Sequence, residues 1–233
     1  MHGGIFAPLT ELLQQRFTLH VVDLPGHGFS RDEPLDPDIA HVADALAANV
    51  PRAVWIGWSL GGLVTLSAAL RHPDRMRGVV ELASSPRFLV ADDWPGVDAK
   101  LFEQFETDLR DDYRRVVERF LALEALGSPD PQAELRDLRV HAFERGEPSL
   151  TALTTGLRWL ETTDLRAALP QLTMPSLWIA GRRDRLVPSA AMQRAAGIVD
   201  DGRFTEVPSG HAPFIGHAPA VAEAITDFIA TLS

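Results

Sequence analysis

The chain has 233 residues, 45% of them hydrophobic, with no cysteine and a formal charge of −10 at pH 7. Such a length and apolar content fit a single domain with a substantial core. The acidic balance argues against nucleic acid as a partner, and the lack of thiols removes cysteine-ligated zinc and iron–sulfur sites and fits a cytoplasmic protein, while being compatible with a simple periplasmic one. No apolar run reaches membrane-spanning length and no charged-then-apolar leader is visible, so no membrane association is expected.

In chain order, helical periodicity over Phe6–Gln15 is followed by a strand pattern over Phe17–Val22. A buried strand is expected over Ala53–Gly57, a helix around Leu63–Leu70 and a further strand over Gly78–Ala83. Between Ser84 and Pro175 strand signals vanish, and helices are expected over Ala99–Leu109, Asp111–Leu126, Pro131–Arg145 and Ser149–Glu161, punctuated by Pro and Gly. The strands Ser176–Gly181 and Arg203–Val207 then lead to an amphipathic helix over Ala218–Leu232. Alternating strand and helix predicts an α/β fold: a mainly parallel sheet with helices on both faces. The helical insertion predicts a cap, giving a core of residues 1–85 and 171–233 and a cap of residues 86–170 whose inner face selects the substrate.

Three side chains stand at expected strand ends. Gly57-Trp58-Ser59-Leu60-Gly61 joins a strand to a helix, and a tight turn of that kind lifts a serine hydroxyl clear of a sheet. Asp184 follows the strand Ser176–Gly181, and His211 lies in the loop after Arg203–Val207. Nucleophile, acid and base in the order Ser59, Asp184, His211 suit acyl transfer through a Ser-His-Asp triad. Asp92 and Asp93 are the rival acids. His20, His41, His72, His141 and His217 read as surface or packing residues. No metal-ligand spacing and no phosphate or dinucleotide loop is present, so neither metal nor cofactor is expected.

Several stretches resemble one family of α/β-hydrolases. They are Phe17 to Gly28, Trp55-Ile56-Gly57-Trp58-Ser59-Leu60-Gly61-Gly62-Leu63, Ala83-Ser84-Ser85-Pro86 with Asp93-Trp94-Pro95-Gly96, Val117 to Leu123, and His211-Ala212-Pro213-Phe214. Together they are similar to the pimeloyl-acyl-carrier-protein methyl ester esterases of biotin synthesis, from about Phe6 to the C-terminus. The resemblance implies a carboxylesterase that releases methanol, with Ser59, Asp184 and His211 as its triad and the Leu60 N–H in the oxyanion hole. It further implies that Phe120, Leu121, Ala122, Leu123 and Glu124 line the acyl chain beside Ser59, Leu60 and His211. Arg115, Arg119 and Arg136 would meet an acidic acyl-carrier protein, on an enzyme expected to be a monomer. Arg110, Arg114 and Arg139 share that region, while Gln132 replaces a further family arginine. A generalist short-chain esterase would share the triad without needing the arginines, and a folded but impaired hydrolase is the alternative of another class.

The front of the chain departs from the family pattern. A His-Gly segment whose backbone completes the oxyanion hole belongs after a strand preceding Asp23, and the spacing places it just before Met1. His2-Gly3-Gly4 is therefore expected to be a coincidental match, and the natural chain to begin further upstream. The strand that would lie between Phe17–Val22 and Ala53–Gly57 is missing with it, unless those two strands close up or another segment fills the slot.

Overall fold

The computed structural model describes residues 1–126 and 130–232, with the backbone alone for residues 110, 111, 113, 114, 123 and 124. A short 3-10 turn, Gly3–Phe6, leads into α1 (Ala7–Leu13), and α2 (Ile39–Asn49) precedes β1 (Ala53–Trp58). Then follow α3 (Leu60–Arg71), β2 (Met76–Leu82), α4 (Ala99–Asp111), α5 (Tyr113–Ala125), α6 (Pro131–Phe143) and α7 (Leu150–Thr162). The chain finishes with β3 (Ser176–Gly181), α8 (Ser189–Ile198), β4 (Gly202–Val207), α9 (Pro213–Gly216) and α10 (Ala218–Ala230).

The four strands form one sheet in the order β1-β2-β3-β4, every neighbouring pair parallel. Parallel neighbours need helical crossovers, and α3, the block α4–α7 and α8 supply them. Ser176-Leu177-Trp178-Ile179-Ala180-Gly181 is buried along its whole length, which is why it reads as an unbroken apolar run rather than an alternating one. Side chains alternate between the two faces. On one side Leu63, Leu66, Val79, Trp178 and Met192 pack together, and on the other Val80, Leu82, Ile179, Ile225 and Phe228. Each such side chain contributes about 1.5–3 kcal/mol when fully buried.

The helices between β2 and β3 begin at capping residues that follow the Pro and Gly punctuation. Asp98 accepts from Lys100 N, Asp130 from Ala133 N and Ser149 from Ala152 N, each cap being worth about 1 kcal/mol. Helix α7 packs on α3, and α6 packs on the 3-10 turn at the chain start. Ser149 N donates to Gly26 O at 2.8 Å, and Arg145 pairs with the buried Asp23 carboxylate at 3.1 Å. Gly26 has φ +80, and a Cβ there would lie 2.3 Å from Ala152 Cβ, so only glycine permits this approach.

Phe17–Val22 corrects the expectation of a strand. Its residues join no ladder, and β1 is the edge of the sheet. Thr18 to Val22 and Ala53 to Gly57 both line one cavity and no ladder joins them, so the two segments do not close up as paired strands. An apolar run becomes a strand only when a neighbouring strand takes its backbone hydrogen bonds, and among the described residues Phe17–Val22 has no ladder partner; Phe17 N donates back to Leu13 O at 3.0 Å instead.

Candidate active site

The site is built at the carboxyl ends of β1, β3 and β4. β1 ends at Trp58, and Ser59 turns the chain into α3 with φ 51 and ψ −122, a backbone state that costs about 1–3 kcal/mol for a residue with a side chain. Surrounding bonds hold it there. Ser59 N donates to Leu82 O at 3.0 Å, Ser84 Oγ donates to Ser59 O at 2.8 Å, and Gly62 N donates to Ser59 O at 3.0 Å. A Cβ on Gly57 would lie 2.5 Å from Gly62 Cα, so the strand approaches the helix backbone directly. The same requirement does not hold at Gly61, where a Cβ would meet nothing within 4 Å; Gly62 is the second tight position.

The structure brings Ser59, His211 and Asp184 together. His211 Nε2 lies 2.9 Å from Ser59 Oγ, and His211 Nδ1 lies 2.7 Å from Asp184 Oδ2. Asp184 is fixed through its other oxygen, which accepts from Leu186 N at 2.7 Å and Val187 N at 2.9 Å. A carboxylate on Nδ1 selects the tautomer with the proton on that nitrogen, leaving Nε2 to accept the serine O–H. The His211 and Asp184 side chains are 1% and 0% exposed, so their interaction is shielded from water. Trp58 ties the serine turn to the histidine loop, its Nε1 donating to His211 O at 2.8 Å. Sequence reasoning assigned this tryptophan no role. Asp93, the rival acid, is exposed and pairs instead with Arg166 and Arg194, and Asp92 is exposed.

Leu60 opens α3, so its N–H has no partner within the helix and stands beside Ser59. His2-Gly3-Gly4 offers no equivalent amide. Gly3 N donates to Asp23 Oδ1 at 2.6 Å, and Gly4 N donates to His2 Nδ1 at 3.1 Å. Burial pushes the Asp23 carboxyl up, but the N–H groups of Phe29 and Gly3 and the Arg145 guanidinium outweigh it and hold it below the ordinary carboxylate range.

A cavity of about 380 Å³ opens at Ser59 and is walled mainly by apolar side chains, among them Phe105, Val116, Phe120, Leu153 and Leu157 from the inserted helices. Of the five successive residues expected to line an acyl chain, Phe120 does so, stacked edge-on against Phe105 at 5.7 Å. Leu121 is a correction: it is fully buried in the core cluster of α6 and α10 side chains and does not line the cavity. Ala122 is exposed, away from the cavity. A helix turns about 100° per residue, so consecutive residues cannot share one wall. The side chains of Leu123 and Glu124 lie outside the described residues. His27, which sequence reasoning passed over, also lines the cavity. Its Nδ1 lies 3.1 Å from Pro25 O, and burial lowers its pKa to about 3.

Arg115 on α5 and Arg136 on α6 are exposed. Arg119 is exposed too, but it also pairs with Asp108 and lies over the Phe105 ring at 5.8 Å, joining α5 to α4. Arg139 pairs with Glu118 at 2.6 Å, and the side chains of Arg110 and Arg114 are outside the described residues.

The alpha/beta hydrolase fold family matches residues 1–218. Solved structures agree: an esterase from Exiguobacterium antarcticum and a bromoperoxidase from Bacillus anthracis superpose with TM-scores of 0.84 and 0.85 at 18% identity, each over 99% of this chain and 88% of theirs. Such low identity speaks for the fold alone. Much nearer in sequence is the pimeloyl-[acyl-carrier protein] methyl ester esterase of Xanthomonas oryzae pv. oryzae (strain MAFF 311018), 53% identical over all of this chain and 92% of the relative. The protein of the same name from Stenotrophomonas maltophilia (strain R551-3) is 52% identical, over all of this chain and 90% of its own length. The chain belongs to the α/β-hydrolase family and, within it, to the pimeloyl-[acyl-carrier protein] methyl ester esterases.

Proposed function

We propose that this chain is a serine carboxylesterase that hydrolyses the methyl ester of pimeloyl-acyl-carrier protein, releasing methanol and the free pimeloyl-carrier protein. The observation that carries the chemistry is the continuous contact from Asp184 through His211 to Ser59, which lines an apolar cavity. His211 Nε2 takes the Ser59 proton as Oγ attacks the ester carbonyl, and Asp184 stabilises the imidazolium that forms. The Leu60 N–H faces the developing oxyanion. The tetrahedral intermediate expels methoxide, which leaves as methanol with the proton from His211. Water then attacks the acyl-enzyme, giving a proton to His211, and His211 passes that proton to Ser59 Oγ as the acid departs.

The cavity suits a methylene chain, since it offers apolar walls around a small polar centre. The names of the relatives support the pimeloyl methyl ester as substrate and an acyl-carrier protein as the macromolecule that bears it. Exposed Arg115, Arg119 and Arg136 would steer that acidic partner to the cap side of the site, Arg119 serving also to join α5 to α4. The enzyme would work as a monomer in the cytoplasm; among the described residues no helix is long and apolar enough to cross a membrane. Ser59→Ala and His211→Ala are expected to lower hydrolysis of p-nitrophenyl butyrate to near background, with Asp184→Asn losing somewhat less. Full activity in Asp184→Asn together with loss in Asp93→Asn would overturn the assignment of the acid.

A further inference from the structure

Strand β2 carries a glutamate at a position where its neighbours are apolar. Glu81 is 0% exposed and lies in the middle of the sheet, between Gly57 of β1 and Trp178 of β3. Neither of its carboxyl oxygens has a hydrogen-bond partner in good geometry. A group so costly to bury needs a reason to be there. Its position supplies one. A Cβ on Gly62 would lie 2.2 Å from Glu81 Oε2 and 2.3 Å from Ser84 Oγ, so the carboxyl, the hydroxyl and the first turn of α3 meet at one point. The same Ser84 hydroxyl donates to the carbonyl of Ser59.

We propose that Glu81 is a positioning residue for the reaction at Ser59: its carboxyl orients the Ser84 hydroxyl, which fixes the Ser59 carbonyl and with it the Leu60 N–H. The inference rests on Ser59 being the nucleophile. Burial pushes the Glu81 carboxyl well above the ordinary range, opposed only by the Ser84 hydroxyl, so it works as a neutral acid. The protonated form donates to Ser84 Oγ while the Ser84 O–H donates onward to Ser59 O. An ionised carboxylate could only accept. It would draw the Ser84 hydroxyl off the Ser59 carbonyl and place negative charge behind the forming oxyanion. The elements packed against Glu81 present Gly57, Trp178 and Gly62 to it, none of which titrates; the other titratable groups of the site are His211 and Asp184. Turnover should therefore fall on the alkaline side as Glu81 ionises.

Steady-state hydrolysis of p-nitrophenyl butyrate from neutral to alkaline pH tests this. Glu81→Ala and Ser84→Ala should each lower kcat about tenfold with KM little changed, and the double variant should be no slower than either single one. Glu81→Gln, whose amide donates as the neutral acid does, should recover most of the loss and should lack the alkaline fall. Wild-type kcat in a folded Glu81→Ala, or the same alkaline fall in Glu81→Gln as in the wild type, would overturn the proposal. Should Glu81→Ala not fold, the pH profile of Glu81→Gln decides alone. Ser59→Ala run in parallel separates the two levels: activity there removes both the nucleophile and this inference, whereas an inactive Ser59→Ala beside an unaltered Glu81→Ala removes the inference only.

Discussion

Replacing Gly57 by alanine puts a methyl group between β1 and α3. The new Cβ would lie 2.5 Å from Gly62 Cα, 2.6 Å from Gly61 O and 2.6 Å from Thr65 Oγ1. Carbon atoms in contact normally sit about 3.5–4.0 Å apart, and two of these three obstacles are backbone. The start of α3 must therefore back away by about 1 Å. Over-packing of this kind costs about 1–3 kcal/mol, and for a chain of this size each kcal/mol lowers Tm by about 2–4 °C. The kinetic effect should be larger, because Ser59 moves with the helix while His211 stays with its loop. A displacement of about 1 Å from productive geometry lowers turnover roughly 10²-fold. Gly197→Ala is the matched control: a Cβ there meets nothing within 4 Å, and the residue lies inside α8. It should gain up to about 1 kcal/mol from helix propensity and leave kcat alone. Thermal melts and p-nitrophenyl butyrate kinetics on both variants decide the matter. Wild-type kcat and Tm in Gly57→Ala would refute close strand–helix approach as the reason for that glycine.

Acid stability should report on His27. The folded state keeps it neutral down to about pH 3, while in the unfolded chain it takes up a proton near pH 6.5. Stability should then fall by about 1.4 kcal/mol per pH unit below that point, and denaturant melts of His27→Gln should show a shallower fall; equal slopes would contradict this. Arg115→Glu and Arg136→Glu should raise KM several-fold for a carrier-protein-linked methyl ester and weaken its salt dependence, with little change on a p-nitrophenyl ester. Arg119→Glu should harm both substrates, because it breaks the pair with Asp108 next to the cavity residues Phe105 and Phe120. Uniform behaviour of the three arginine variants on both substrates would remove the distinction.

Much of this architecture was legible in the residues. Ser176–Gly181 forms β3 with the expected bounds, since a fully buried parallel strand leaves a continuous apolar run. The strand-end positions of Ser59 and Asp184 were legible because each follows an apolar run, whereas His211 follows the mixed strand Gly202–Val207 and was legible from its Pro-Ser-Gly loop and its place in the Ser, Asp, His order. Phe17–Val22 was misread because alternation records a strand's faces and says nothing of its neighbours. Leu121 was misplaced by treating a run of cap residues as one surface. Arg119 is exposed as expected, but its pairing with Asp108, eleven residues away, was not legible, because only the packing of α4 on α5 brings the two together. Glu81 carried no signal at all. A carboxylate in a sequence reads as solvated, and only the fold reveals that it lies beneath Ser59.

The most direct test is to incubate the purified chain with pimeloyl-acyl-carrier protein methyl ester and follow the carrier protein by intact-mass spectrometry. The expected result is loss of one CH₂ from the carrier with release of methanol, in the wild type and not in Ser59→Ala. An ester left intact by a chain that still cleaves p-nitrophenyl butyrate would contradict the assigned substrate, and equal conversion by Ser59→Ala would contradict the assigned nucleophile.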